Sequence, residues 1–364
     1  MSFIEHLIIG GGISGCLMAR HLTERQLDFK LVEAQPYLGG RIQSTQQGLD
    51  LGPTWFWPHQ SGVEALLSQL NIESFTQYTQ GDYVYQAGPN SHVQRGNDQQ
   101  GMLSYRVAGG MAAIIDGLHA CIAHDQVLLN SPVKSICKQG EQQDHKQDSQ
   151  WQVELDSGDI LSCKHLWLAM PPRKIAQLFL AADQRTLSEE LTSHLHAQQT
   201  WMSAQAKFVA VYKNAFWRDA GLSGQAFSHT GPMVEINDAS GHKVADHKSP
   251  AALFGFIGIP AANRQTLDQQ QIIDACVTQL GKLFGEAALS PISTHYIDWA
   301  SNEFIATAAD VAEPSQHAHF NQAKFETELQ DLKLGLIGAE FSQSEAGYVA
   351  GAVDHVNKIV EGFG

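Results

Sequence analysis

The glycine motif after the first apolar segment constrains the fold of this chain more than any other feature. Residues Phe3–Ile9 are apolar and rich in β-branched side chains, which is typical of a buried parallel strand. Gly10, Gly12 and Gly15 follow at once, and apolar residues then recur at helical spacing over residues 13–22. A strand, a GxGxxG turn and a helix in this order predict the start of an α/β fold.

The same motif predicts a dinucleotide site. Its first glycine permits a tight turn, its second lets a diphosphate approach the backbone, and its third allows close packing of helix on strand. The helix N-terminus offers free N–H groups to the diphosphate, and Ser14 adds a hydroxyl. Glu33 follows the predicted strand Phe29–Val32, where a carboxylate can accept both ribose hydroxyls and would repel a 2′-phosphate. The motif therefore predicts bound FAD or NAD.

Composition narrows the class of protein. The chain has 364 residues, of which 43% are hydrophobic, and 38 acidic against 23 basic side chains give a net charge of −15. Such acidity argues against a nucleic-acid binder and is compatible with cationic partners such as amines. The five cysteines form no CxxC pair, so we expect neither a disulfide framework nor a metal site. No apolar run is long enough for a membrane span, the first residues show no signal-peptide layout, and we expect a cytoplasmic protein.

Further along, residues 127–170 carry the pattern of a β-meander, interrupted by a polar stretch at 138–150 that predicts an exposed hairpin loop. A strand over residues 206–212 opens an all-β region that extends to about residue 259. A helix is predicted over 268–284, and the end of the chain combines a strand at 334–337 with a final helix from about Gly347.

Five motifs, taken in order, resemble the flavin-containing amine oxidases, which include the monoamine and polyamine oxidases. They are residues 39–41 (GGR), 50–55 (DLGPTW), 206–217 (AKFVAVYKNAFW), 338–340 (GAE) and 347–352 (GYVAGA). The resemblance touches both ends and the middle, so it covers most of the chain. It implies a Rossmann-like FAD-binding domain, with the βαβ unit and the β-meander, interleaved with a smaller α+β substrate domain. The FAD-binding domain would comprise residues 1–75, 105–197 and 301–364, and the substrate domain residues 76–104 and 198–300.

The resemblance also implies which residues contact FAD. Arg41 would lie near the diphosphate, the backbone of Val133 near the adenine, and Glu340 near the ribityl–diphosphate region. The residues at the start of the last helix would face the N1/O2 edge of the flavin, where a helix N-terminus stabilises negative charge. The full set comprises Gly10, Gly12, Ser14, Gly15, Glu33, Ala34, Gly40, Arg41, Gly52, Thr54, Trp55, Val133, Gly338, Glu340, Gly347, Tyr348 and Val349.

Three catalytic residues are implied in the same way. Lys207 matches a lysine that holds a water near flavin N5, and burial would lower its pKa; the alternative is a strand-edge lysine that faces solvent. Tyr348 matches one wall of an aromatic cage that binds the amine. Trp299 resembles a tryptophan near the flavin, although it can equally be a core residue. The aromatic run at residues 55–57 can either line the cavity or pack under the flavin.

The chain departs from the family pattern at several points. Residues 302–311 contain no cysteine, so we expect non-covalent FAD. Ala308 and Ala309 stand where the second cage aromatic is expected, and Pro53 replaces a glycine. The first substrate-domain insertion is short, which predicts a more open or differently shaped site.

The expected function is FAD-dependent oxidation of an amine by hydride transfer to flavin N5, with reoxidation by O₂ to give H₂O₂. The alternatives are a flavin desaturase or NAD(P)H-oxidising enzyme on the same fold, or a non-catalytic FAD-binding partner protein. His317 and His319 offer a metal-like spacing, but their polar surroundings favour a solvated loop. A P-loop and a GxSxG elbow are both absent from the sequence.

Overall fold

A computed structural model of the protein describes residues 3–97, 103–138, 151–181, 186–244 and 250–362. Its helices are α1 (Ile13–Glu24), α2 (Ser61–Gln69), α3 (Ala112–His119), α4 (Pro172–Ala181), α5 (Glu189–Ala197), α6 (Phe216–Asp219), α7 (Ala261–Arg264), α8 (Gln269–Phe284), α9 (Ala308–Ala312), α10 (Glu326–Leu332) and α11 (Val349–Glu361). Its strands are β1 (Phe3–Ile9), β2 (Phe29–Val32), β3 (Ser74–Thr76), β4 (Asp82–Gln86), β5 (Gln94–Gly96), β6 (Tyr105–Val107), β7 (Val127–Leu128), β8 (Val133–Lys138), β9 (Trp151–Leu155), β10 (Ile160–Leu168), β11 (Ala206–Tyr212), β12 (Leu222–Ser228), β13 (Met233–Asp238), β14 (Ala251–Ile257), β15 (Ser293–Asp298) and β16 (Leu334–Leu336).

The first sheet has the strand order β7-β2-β1-β10-β9-β8, and β16 also pairs with β10. The pairs β7–β2, β2–β1, β1–β10 and β10–β16 are parallel, so the carboxyl ends of these strands meet at one edge. The start of β10 pairs antiparallel with β9, while its last residues, Leu166 to Leu168, pair with β16. Strand β10 runs without interruption from Ile160 to Leu168, a segment that contains neither glycine nor proline.

Helices cover both faces of this sheet. On one face, α1, α3 and α11 share a core that contains Leu17, Ile114 and Val356. On the other face, α4, α5 and the end of α10 pack through Ile175, Leu191 and Leu329. Both faces of the parallel strands are therefore buried, as their apolar sequences require.

The second sheet has the order β15-β11-β14-β13-β12-β4-β5 and is antiparallel except for the pair β12–β4. Helix α8 covers one face through Ile272, Cys276 and Leu280. On the other face, Val209 and Phe254 belong to a small apolar cluster that also contains Leu49 and packs against Trp55. Leu49 and Trp55 come from the part of the chain that follows the glycine motif. Strand β11 lies between two partners and is buried along its whole length.

The predicted Rossmann-like α/β class is confirmed by this topology, and β1 and β2 have the predicted bounds. Most of the predicted loop at 138–150 lies outside the described residues. The first sheet takes its strands from segments 3–32, 127–168 and 334–336, and the second from 82–96 and 206–298. The division into an FAD-binding and a substrate domain at the stated boundaries stays a prediction. In the described part of the chain, every helix is too short or too polar to cross a membrane.

Candidate active site

A cavity of about 570 Å³ lies where the first sheet meets the second. The segments that follow four parallel strands open into it, beginning at Gly10 after β1, Glu33 after β2, Ala169 after β10 and Gly338 near the end of β16. Ligands of open α/β sheets bind outside the carboxyl ends of the strands, so the position of the cavity follows from the topology.

The three motif glycines meet different surroundings. Gly10 has φ +104°, and a Cβ there would lie 2.4 Å from the carbonyl oxygen of Ala169. A Cβ on Gly15 would lie 1.9 Å from the carbonyl oxygen of Gly10, so the packing of α1 on β1 requires this glycine. Among the described residues, a Cβ on Gly12 would meet only Gly39 O, at 4.0 Å, beside the cavity. The chain itself makes no demand for glycine at position 12, which fits a ligand that approaches the backbone there.

The N-terminus of α1 faces the same space. Gly12 is the N-cap, no side chain caps the helix, and its first turn carries no acidic residue. Ser14 lines the cavity from this turn. Free N–H groups and a helix dipole without a side-chain anion suit a bound diphosphate.

Glu33 is held in place by two backbone N–H groups. Gly11 N donates to Oε2 at 2.6 Å and Gln35 N donates to Oε1 at 2.8 Å. Burial raises the pKa of the Glu33 carboxyl, and the backbone hydrogen bonds oppose that rise. Each oxygen keeps a lone pair for a ribose hydroxyl, and Ala34 and Val133 line the cavity at the same end.

Arg41 and Glu340 form an ion pair at the middle of the cavity wall. Arg41 Nη1 lies 2.7 Å from Glu340 Oε1 and also donates to the carbonyl oxygen of Trp201 at 2.8 Å. Trp201 N donates to the same Glu340 oxygen at 3.3 Å. This network connects the GGR motif to the segment after β16 and to the loop before β11. Within the described ranges it engages only Nη1 of Arg41, so the other guanidinium nitrogens can bind a ligand.

Lys207 lies on β11 and points away from solvent. Its Nζ donates to the carbonyl oxygen of Gly52 at 3.0 Å and to Thr54 Oγ1 at 2.5 Å, and it lies 4.1 Å from the centroid of the Phe254 ring. Burial lowers the pKa of Lys207 to about 7. The alternative of a solvent-facing lysine is therefore wrong, because β11 is a central strand rather than an edge.

An aromatic wall closes one end of the cavity. Tyr348 packs edge-on against Trp57, with centroids 5.9 Å apart, and lies 6.1 Å from Trp201. His317 stacks on Trp201 at 3.6 Å and on Tyr348 at 5.3 Å. His317 and His319 lie outside helices and strands; His319 is exposed, and the half-buried ring of His317 packs against these two aromatic neighbours.

Several other aromatic residues can be placed. Trp299 lines the cavity, anchored by its backbone N–H on Gln205 O at 3.0 Å. Trp55 also lines it and packs on Phe254 at 5.3 Å. Phe56 instead belongs to the core of the first sheet, because side chains alternate along this extended segment.

All predicted site residues except Gly15 line this one cavity. Trp201 and Phe256, which also line it, were not predicted, because the first lies in a loop without a motif and the second in an ordinary apolar strand. Ala308 and Ala309, the positions compared with the second cage wall, start α9 and are not among the lining residues. Within the described part of the chain, no cluster of three or more His, Cys, Asp or Glu side chains could hold a metal ion.

Comparisons with known proteins agree with this geometry. The family model described as flavin containing amine oxidoreductase matches residues 89–355, and the NAD(P)-binding Rossmann-like domain matches residues 8–70. A probable flavin-containing monoamine oxidase A from Dictyostelium discoideum is 21% identical over 82% of this chain and 84% of its own. A putrescine oxidase from Kocuria rosea is also 21% identical, over 82% of each chain.

Among solved structures, cyclohexylamine oxidase from Brevibacterium oxydans IH-35A superposes with a TM-score of 0.77 at 20% identity, covering 99% of both chains. That likeness shows the fold. The family match covers most of the chain and confirms the resemblance inferred from the sequence motifs. The protein belongs to the flavin-containing amine oxidoreductase family and is a flavin-dependent enzyme.

Proposed function

We propose that the protein binds FAD without a covalent bond and oxidises a small amine. The observation that carries this is one cavity that extends from Gly12 at the N-terminus of α1 to the aromatic residue Tyr348, with Lys207 on its wall. The absence of cysteine from residues 302–311 supports non-covalent binding. When bound, the flavin supplies hydride acceptance from the carbon next to the amine nitrogen and passes the electrons to O₂.

Different residues of this chain would bind the dinucleotide, handle the proton and orient the amine. The α1 N-terminus, Glu33 and Arg41 hold the dinucleotide. The N-terminus of α11, which begins at Val349 behind Tyr348, favours negative charge on the reacting ring. Lys207 Nζ holds or moves a proton near that ring, since burial brings its pKa close to neutrality. Tyr348 and Trp57 restrict the pose of the amine.

The lining of the cavity favours an amine with one amino group and an apolar body. The carboxylates among the described lining residues are those of Glu33, Glu303 and Glu340. Glu340 is paired with Arg41. Glu33 accepts hydrogen bonds from Gly11 N and Gln35 N at the end lined by Ala34 and Val133, and Glu303 is exposed and interacts electrostatically with Lys174. A second ammonium group would therefore find aromatic rings rather than a free carboxylate at the substrate end.

The test is anaerobic reduction of the purified yellow protein. We expect cyclohexylamine or benzylamine to bleach the flavin absorbance, and putrescine to do so with a second-order rate constant for flavin reduction at least about tenfold lower, which corresponds to about 1.4 kcal/mol. Bleaching by NADH or NADPH alone would contradict amine oxidation. No bleaching by any of these reductants would favour a non-catalytic FAD-binding role.

We also propose a cytoplasmic location.

A further inference from the structure

Three charged side chains are buried together where the two sheets meet. Asp50 precedes the segment that holds Gly52 and Thr54, Arg106 lies on β6, and Lys207 lies on β11. Their relative exposures are 3%, 2% and 2%. Charged groups are almost never buried to this extent without a compensating partner, so the way their charges are balanced needs a physical account.

Asp50 uses only one of its two carboxylate oxygens in the described structure. Oδ1 accepts from Ser44 Oγ at 2.7 Å and from Met111 N at 2.7 Å, which fixes the carboxylate against the start of α3. Oδ2 is buried and has no hydrogen-bond partner among the described residues. The carboxylate is therefore held rigidly while half of its hydrogen-bonding capacity stays uncommitted.

Arg106 also has a buried polar atom without a hydrogen-bond partner among the described residues. Its Nη1 donates to Ser240 O and its Nη2 to Ala239 O, each at 2.9 Å, while Nε is buried without a partner among the described residues. The guanidinium is thus anchored on two neutral carbonyl groups, and its positive charge is not neutralised by them.

Lys207, like Arg106, donates its hydrogen bonds to uncharged acceptors. Its two hydrogen-bond acceptors, Gly52 O and Thr54 Oγ1, are neutral. The nearby carboxylate of Asp238 is already engaged, since Oδ2 accepts from Arg218 Nε and Trp217 Nε1 at 2.8 Å and Oδ1 accepts from Ser240 N. Among the described residues, Asp50 is therefore the carboxylate that acts on both buried cations, while Asp238 acts on Arg106 as well.

We propose that Asp50 and Arg106 are positioning residues that set the charge carried by Lys207 Nζ at the wall of the cavity. Asp50 is the shared counter-ion and favours the ammonium form, whereas Arg106 competes for Asp50 and favours the neutral amine. Both act through the buried interior rather than by contact with the substrate.

The directions in which the pKa values of Lys207 and Asp50 are shifted agree with this arrangement. The pKa of Lys207 is lowered to about 7 by burial, with Asp50 raising it and Arg106 lowering it further. Burial also raises the pKa of Asp50, and Arg106 and Lys207 oppose that rise. With this balance, Lys207 can exchange a proton near neutral pH. The catalytic consequence rests on the proposed function, but the electrostatic coupling does not.

The decisive experiment is a pH titration of the holoenzyme labelled with ε-¹³C-lysine, with the Lys207 resonance assigned by its loss in Lys207→Met. We expect Asp50→Asn to move the midpoint of the Lys207 titration down by about one pH unit and Arg106→Met to move it up by a similar amount. Asp50→Asn keeps an oxygen for Met111 N, so this variant retains the anchoring of α3.

Ser44→Ala is the matched control, because it removes a hydrogen bond from the same carboxylate without changing its charge. Its titration midpoint should stay near that of the wild type. An unchanged midpoint in Asp50→Asn, or a shift as large in Ser44→Ala, would overturn the proposal. The pH at which flavin reoxidation by O₂ changes rate should move in the same direction as the Lys207 titration midpoint. If the midpoints move but no amine reduces the enzyme, the proposed function is contradicted and the electrostatic coupling is still established.

Discussion

At the residue scale, the glycines of the GxGxxG motif differ in the physical reason that favours glycine at each position. At Gly15 the reason is internal, because an added Cβ would collide with a backbone oxygen of Gly10. At Gly12 the described residues supply no such reason, because the added Cβ would meet only Gly39 O at 4.0 Å, and the proposed dinucleotide would supply it instead. The sequence alone cannot separate these reasons, since the letters are identical.

A pair of alanine substitutions tests this distinction. Gly12→Ala should weaken FAD binding at least about tenfold while changing the free energy of unfolding of the FAD-free protein by at most about 1 kcal/mol. Gly15→Ala should instead lower that free energy by about 2–3 kcal/mol, because backbone atoms must move apart. Isothermal titration with FAD and denaturant unfolding of the FAD-free variants measure the two quantities. Equal destabilisation by both substitutions would contradict the assignment.

Lys207 carries a second prediction at this scale. Lys207→Met should keep FAD bound but slow the reoxidation of reduced flavin by O₂ about 10²-fold, the lower end of the effect of losing a positioned proton-transfer group. Stopped-flow absorbance after anaerobic reduction measures this rate. Lys213→Met, which changes an exposed lysine just beyond the end of β11, is the control and should react like the wild type. Full oxygen reactivity in Lys207→Met would remove the proposed role.

At the element scale, the periodicity of the sequence locates helices and strands, whereas the exact ends of some of them depend on tertiary contacts. The helix predicted at 268–284 is α8, Gln269–Phe284, and the strand at 206–212 is β11. The last helix begins at Val349 rather than Gly347, because Gly347 adopts φ +86° against Trp201 and Tyr348 serves as N-cap. Such boundaries depend on tertiary contacts that periodicity does not encode.

The pairing of β1 with β10 predicts an acid-sensitive element. His6 and His165 face each other across these strands, and their rings stack at 4.8 Å. Burial lowers the pKa of both imidazoles, that of His165 to about 4 from a usual value of 6.5. Between these two pH values the unfolded chain binds more protons than the folded one, so the contribution of His165 to stability falls as the pH falls.

Replacing this histidine should weaken the acid response. We expect the Tm of His165→Gln to fall less between pH 7 and pH 5 than the Tm of the wild type. Differential scanning calorimetry at several pH values measures the slope. His92→Gln, an exposed control, should keep the wild-type slope, and an unchanged slope in His165→Gln would contradict the burial argument.

At the scale of the whole molecule, the cavity joins distant parts of the chain. Its lining extends from Ile9 to Val349 and includes strands of both sheets, so a ligand bound there stabilises contacts between them. A ligand present at a thousand times its Kd stabilises the folded state by about 4 kcal/mol. Removal of FAD should therefore lower the Tm by roughly 5 °C.

Differential scanning fluorimetry of holoenzyme and FAD-free protein measures that difference. Riboflavin, which lacks the diphosphate and the adenosine, should restore only a small part of the lost Tm. Full recovery with riboflavin would show that the α1 N-terminus and Glu33 contribute little to cofactor binding.

The βαβ start and the family could be predicted from the amino-acid sequence alone, and so could the proposal of a dinucleotide site, because these depend on local geometry and on motifs whose residues are neighbours in the chain. The buried charge balance at Asp50, Arg106 and Lys207, and the aromatic wall of Trp57, Trp201, His317 and Tyr348, were decided only by the tertiary structure. Their members lie far apart in sequence, and only the packing of the second sheet on the first brings them together. Burial, which moves the pKa of Lys207 towards neutrality, likewise exists only in the folded protein.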